Sequence, residues 1–140
     1  MDGININLWG VLLGAVSSMV IGAVYYSPGL YGKLWIKLGK IDEKRYKKET
    51  GKLMPVVFLG ALLTSYFVAY FSFLYHAFFA DSWIAASFVT SLLLFVGISA
   101  TTVFVHSALD QRPRQLIWIT LGNRFLSLVA IGLLVGWLHP

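Results

Sequence analysis

The chain has 140 residues, 58% of them hydrophobic and 12% charged, with a formal net charge of +5 and a mean hydropathy of +0.75. Soluble domains carry about 25% charged residues, so an ordinary soluble fold is excluded. The absence of cysteine excludes disulfides, thiol catalysis and thiolate metal sites.

Residues 3–32 contain no Asp, Glu, Lys or Arg. About 20 apolar residues cross a hydrocarbon core of about 30 Å as a helix, so a first span is predicted at about 5–27, ending before Pro28. A cleaved signal peptide is not expected here, since Met1-Asp2 offers no basic leader and the run is long. Gly10, Gly14, Ser18 and Gly22 recur every fourth residue. Such a small-residue stripe lets helix backbones approach closely, either inside the bundle or on a self-association face.

Residues 29–52 hold most of the positive charge. Lys33, Lys37, Lys40, Lys44 and Lys48 fall on one helical face, and Leu30, Leu34, Leu38 and Ile41 on another. The pattern predicts an amphipathic helix lying in the membrane interface. Tyr26, Tyr31, Lys33, Trp35, Lys37 and Lys40 are its candidate lipid-interface residues. Anionic head groups would add about 1 kcal/mol per basic residue close to the surface. The segment reads either as a topology anchor or as an anionic-lipid site. Nucleic-acid binding is not expected, because no recognition module accompanies the charge.

Within this region, residues 24–35 read VYYSPGLYGKLW. Proline ends the helix and drives Ser27 toward an extended backbone. Gly29 and Gly32 permit a tight reversal, with Tyr26, Tyr31 and Trp35 at head-group depth. A structural elbow is the favoured reading, and a substrate mouth lined by tyrosine hydroxyls is the other. The motif Tyr25, Tyr26, Ser27, Pro28, then Tyr31, Gly32, Lys33 and Trp35, resembles the signature of domain-of-unknown-function family 1761, small four-span bacterial membrane proteins. The resemblance extends over essentially the whole chain in length and span pattern. It implies a fold and a bacterial inner membrane, and it carries over no catalytic residue.

Further spans are predicted at about 53–79, opened by Pro55, at 83–108 and at 115–138. The runs 53–80 and 82–109 are free of charge, and the last span contains one, Arg124. Transmembrane strands need only about 9–11 residues and alternate between faces, so these runs are helices. The Tyr66, Phe67, Tyr70 and Phe71 stripe reads as packing. The expected fold is all-α: one membrane domain, 1–140, with four transmembrane helices in a bundle and the amphipathic segment between the first two.

Ten of the eleven basic residues lie in the loops between spans one and two and between spans three and four. By the positive-inside rule those loops are cytoplasmic and both termini are outside. The termini and second loop offer Asp2, Asp81 and His139 instead. Trp9, Trp83, Trp137, Trp118 and Trp35 fall near predicted span ends, where amphipathic rings prefer to lie.

The eleventh basic residue is the candidate site. Arg124 lies about 14 Å along span four from Gln115, near the midplane, with snorkelling toward the cytoplasm available to it. Thr120, Asn123 and Ser127 share its polar stripe, which is expected to face protein rather than lipid. At matching depth the other spans offer Ser17 and Ser18, Thr64 and Ser65, and Ser99, Thr101 and Thr102, with His106 approaching from below. A polar layer across the bundle is predicted. A central arginine costs roughly 2.5–3.5 kcal/mol on insertion scales, and no span contains an acidic residue. Either carbonyls and hydroxyls satisfy the guanidinium and pin the packing, or an anionic ligand or lipid completes the site.

His76 and His106 are expected on opposite sides of the membrane and so cannot share a metal, and each is expected as an interfacial ring. No metal, no cofactor and no catalytic residue is predicted. A four-span glutathione-transferase-like enzyme would carry both signs of charge in its helices, and a small multidrug exporter an intramembrane glutamate in its first helix. The expectation is an oligomeric binding or transport protein, dimer or trimer, in contact with the bilayer and with anionic lipids. The alternative is a structural or accessory membrane protein in which Arg124 only locks helix packing.

Overall fold

The computed structural model describes residues 3–140, so Asp2 lies outside the described residues. Six α-helices and one π-helical segment follow in chain order: α1 Leu8–Tyr25, α2 Gly32–Leu38, α3 Glu43–Phe79, α4 Trp83–Leu94, the π segment Phe95–Ala100, α5 Thr101–Leu109 and α6 Arg114–Trp137. No strand occurs among the described residues. Four helices are long and apolar enough to cross a membrane: α1, α3, the continuous Trp83–Leu109 stretch and α6. The chain is an all-α, multi-pass membrane protein.

Capping explains several boundaries. The Asn7 side chain accepts from the Trp9 N–H at 3.0 Å, starting α1, and its Nδ2 donates to the Leu138 carbonyl at 2.7 Å. One residue thus ties the start of α1 to the end of α6. Asp42 caps α3 by accepting from Lys44 and Arg45 N–H, and Ser82 caps α4 through Ala85 N–H. α3 then gains the i,i+4 pairs Lys47–Glu43 and Arg45–Glu49, each at 3.1 Å.

Those pairs mark a departure from the sequence expectation. The basic segment is not one amphipathic helix over 29–52. It breaks at residues 39–42, and its second half belongs to α3, collinear with the second span. α3 therefore runs about 55 Å at 1.5 Å per residue. Pro55, expected to open the span, lies inside the helix. Its missing N–H leaves the Gly51 carbonyl without an intrahelical donor, at a place where Gly51 is exposed.

α6 packs against α1 and α4, and α3 packs against the same two, so the four spans close a ring. Val11, Val68, Ala69, Leu128, Ile131 and Val135 form the core, with Ile6, Leu62, Leu94 and Phe95 against it. The outer surface is apolar, including Val20, Leu59, Leu63, Phe67, Leu93 and Val96. The buried polar residues all carry hydroxyls: Ser65, Ser72, Ser87, Thr90, Ser91 and Ser107. Large apolar groups outside and small residues within is the arrangement expected where lipid supplies no hydrophobic drive between helices.

The small-residue stripe of α1 divides in two. Gly10 abuts Val135 and Leu138, and Gly14 abuts Ser65 and Ile131, whereas nothing lies within 4 Å of a Cβ built on Gly22. Gly132 and Gly136 of α6 face α4 instead, against Ser87, Ser91 and Ile84. The core serines and glycines therefore key into one another at two helix crossings.

Candidate functional site

The elbow after α1 organises the neighbourhood of Arg124. Pro28 stops α1, and the chain turns back through Leu30 N–H to Ser27 O and Gly32 N–H to Ser27 O, both 3.0 Å, and Tyr31 N–H to Tyr25 O at 3.1 Å. Gly32 is buried in this turn; a Cβ there would lie 2.8 Å from the Ser27 carbonyl oxygen and closer still to that of Tyr26. Rings line the elbow in sequence: Tyr31 to Tyr25 at 4.7 Å, Tyr25 to Tyr26 at 5.3 Å, Tyr26 to Trp35 at 5.0 Å and Trp35 to Tyr46 at 5.4 Å between centroids. The elbow is anchored to α6 by the Tyr25 hydroxyl, which donates to the Ile119 carbonyl at 2.8 Å and rests on Gly122.

The next tyrosine reaches the candidate site. On α6, Thr120 and Arg124 are the groups near enough to act on the Tyr26 phenol. Thr120 itself donates to its own helix at Leu116 O, 2.9 Å. Arg124 stands about 15 Å along α6 from Arg114. It is exposed on the flank of the bundle and forms none of the ion pairs among the described residues, which are all outside the spans. Asn123 beside it is half-buried and its Oδ1 has no partner. The register of α1 on α6 brings the open Gly22 near the level of Arg124.

The remaining predicted hydroxyls bond their own helices or lie at the surface. Ser17 and Ser18 donate to their own helix at Gly14 O and Ala15 O, 2.7 and 2.9 Å. Thr64 donates to Gly60 O and Thr101 to Gly97 O, each at 2.9 Å, and both residues are exposed. Ser127 is half-buried and Thr102 exposed; His106 is exposed near the end of α5. Short hydroxyl side chains bond carbonyls of their own turn when the helix is dry, so these need no acceptor on another span.

A polar belt does cross the interior, two turns from Arg124. Ser65 meets Gly14 beside Ile131, and Ser91 meets Gly132, about 10 Å farther along α6 than Arg124. Ser65, Ser87 and Ser91 Oγ have no hydrogen-bond partner. The sequence signal for this belt is the Ser87/Ser91 spacing of four matched by Gly132/Gly136; of its serines only Ser65 is among those expected at the depth of Arg124.

The lipid-interface candidates separate as well. Lys33, Lys37, Lys40 and Tyr31 are exposed, whereas Tyr26 and Trp35 are half-buried in the elbow. At the opposite end, His76 is not a free interfacial ring: it stacks on Trp83 at 3.9 Å, and His139 stacks on Trp83 at 5.6 Å.

No curated protein and no solved structure matches this chain. The model of a family described as a protein of unknown function, DUF1761, matches residues 9–136, which include the elbow, the spans and Arg124. The chain therefore belongs to the DUF1761 family.

Proposed function

We propose that the chain is a binding protein for an anionic membrane amphiphile, whose head group Arg124 holds from the flank of the bundle. One arrangement supports the reading: an exposed guanidinium about 15 Å along a spanning helix, with no carboxylate on any span and the Tyr26 phenol within its electrostatic reach. A phosphate or carboxylate there would accept charge-assisted hydrogen bonds from the guanidinium and offset the roughly 2.5–3.5 kcal/mol that a central arginine costs. Tyr26 can donate to the same anion. Binding is favoured over transport because the interior belt is packed shut, with Ser65, Ser87 and Ser91 fully buried.

Self-association fits the same flank. Gly22 faces open space near the level of Arg124, and a second copy seated there, in a dimer or trimer, would enclose the amphiphile's head group. On the positive-inside rule, the basic end is assigned to the cytoplasm of a bacterial inner membrane, with both termini outside.

The test is native mass spectrometry of the chain purified in a mild neutral detergent. Wild-type protein is expected to retain anionic lipid, Arg124→Lys to retain less, and Arg124→Leu none, with all three equally folded. Equal retention by Arg124→Leu, or none by the wild type, overturns the reading. Loss of folding in Arg124→Leu with unchanged lipid content makes Arg124 a packing residue.

A further inference from the structure

At the basic end a cleft of about 720 Å³ opens between the turn after α2 and the loop from α5 to α6, lined in part by Trp35, Lys40, Ile41, Arg112 and Leu116. Its two lips are built alike. α2 closes with Ile41 N–H donating to Ile36 O at 3.1 Å and Lys40 N–H to Lys37 O at 3.4 Å. α5 closes with Arg112 N–H donating to Ser107 O at 2.9 Å and Gln111 N–H to Ala108 O at 3.3 Å. Each is the six-to-one closure of a helix C-terminus, which places one residue in the left-handed conformation. That residue is Lys40 at φ 49° on one lip and Gln111 at φ 54° on the other. Glycine fills such a position with least strain, yet here both positions carry long polar side chains, and both line the cleft.

The chemistry of the lining is specific. Lys40 brings an exposed ammonium from one lip. Arg112 brings a guanidinium from the other, held by Asp110 at 3.3 Å, so the lining keeps one positive charge in excess. Trp35, Leu38, Ile41 and Leu116 supply an apolar floor. α6 begins at the same place, and its N-cap Pro113 provides no side-chain acceptor; Leu116 N–H closes on Pro113 O at 3.0 Å, which leaves the Arg114 and Gln115 N–H groups unpaired.

We propose that this cleft binds a phosphate group, with Lys40 and Arg112 as its contacts and the Trp35 floor receiving the carbon skeleton that bears it. Asp110 orients Arg112 and leaves part of its guanidinium fork for the incoming oxygens. The phosphate belongs either to a lipid head group or to a free phosphorylated solute. The site is separate from Arg124, since Leu116 in its floor lies about 12 Å along α6 from that residue.

The test uses the full chain in neutral maltoside detergent, titrated calorimetrically with inorganic phosphate and with dihexanoyl phosphatidic acid. Saturable binding is expected for at least one probe, read in the Arg124→Leu background so that only the cleft contributes, and weakened roughly tenfold when Lys40→Gly or Arg112→Gln is added. Lys40→Gly separates binding from folding: glycine relieves the left-handed strain, so its melting temperature is expected to equal or exceed wild type while affinity falls. Binding of the amphiphile alone assigns a lipid head group; equal binding of both probes assigns a free phosphate. No saturable binding of either probe overturns the proposal, and so does wild-type affinity in Lys40→Gly and Arg112→Gln.

Discussion

The Tyr25 hydroxyl donates to the Ile119 carbonyl at 2.8 Å across the α1–α6 interface. Ile119 O also serves the α6 ladder, so the tyrosine adds a second donor to an acceptor with two lone pairs. The contact needs Gly122, because a Cβ there would overlap the phenolic oxygen while standing 3.4 Å from the ring carbon that bears it. Tyr25→Phe is expected to cost about 0.5–1.5 kcal/mol, the worth of one ordinary hydrogen bond. Gly122→Ala alone is expected to cost more, because the ring must leave its seat. The double variant is expected to match Tyr25→Phe alone, since removing the oxygen removes the overlap. Unfolding titrations of the four proteins in mixed micelles check this; simple additivity of the two single costs would contradict the geometry.

Gly32 carries a second prediction. Its neighbours are the Tyr26 and Ser27 carbonyl oxygens, which are backbone atoms of a tight turn and cannot rotate aside. Gly32→Ala is expected to open the elbow, at a cost of at least about 1–3 kcal/mol for overpacking, and to release Tyr26 from Thr120. Gly29→Ala, three residues earlier with nothing within 4 Å, is the matched control and is expected to leave the melting temperature unchanged. Equal effects of the two substitutions would show that the elbow is not the constraint.

The elbow was legible in the sequence because Ser27-Pro28 and Gly32 are local signals. So were the four spans, since charge-free runs longer than a bilayer admit no other backbone solution. The start of α3 was not legible from hydropathy. Asp42 capping and the Glu43–Lys47 and Arg45–Glu49 pairs extend the helix well before its apolar part, and Pro55 is accommodated where Gly51 is exposed. The π segment Phe95–Ala100 adds one residue to a turn, a change that an unbroken apolar run conceals. Depth along the helix located Arg124, but the Thr120, Asn123 and Ser127 stripe implied a protein-facing guanidinium, whereas Arg124 is exposed while Asn123 and Ser127 are half-buried.

The serine–glycine crossings are expected to rank the glycines. A Cβ on Gly136 would lie 2.8 Å from Ile84 Cα and 2.9 Å from Trp83 O, and one on Gly132 would lie 2.8 Å from Ser87 O. Both therefore meet backbone. Gly14 meets chiefly the Ser65 hydroxyl, a side chain that can turn away, and Gly22 meets nothing. The expected order of destabilisation by alanine is Gly136 and Gly132, then Gly14, then Gly22, with the first two near 1–3 kcal/mol. Ser91→Ala is expected to be neutral or stabilising, because its buried Oγ has no partner to lose. Thermal melts of the five variants give the ranking, and a Gly22→Ala effect equal to that of Gly136→Ala would contradict it.

Arg124 supplies the last prediction, and its sign separates a ligand site from a packing residue. A residue that holds the bundle together through its own contacts should destabilise the chain when replaced. Arg124 forms none of the ion pairs among the described residues, while its charge at depth costs roughly 2.5–3.5 kcal/mol on insertion scales. Arg124→Leu is therefore expected to raise the stability of delipidated protein, by no more than about that cost. When an anionic lipid is restored to the micelle, the wild type is expected to gain stability by mass action and the leucine variant to gain none. Melting curves of both proteins, with and without the lipid, resolve the two signs. A leucine variant that is less stable in the delipidated state would place the residue among the packing contacts.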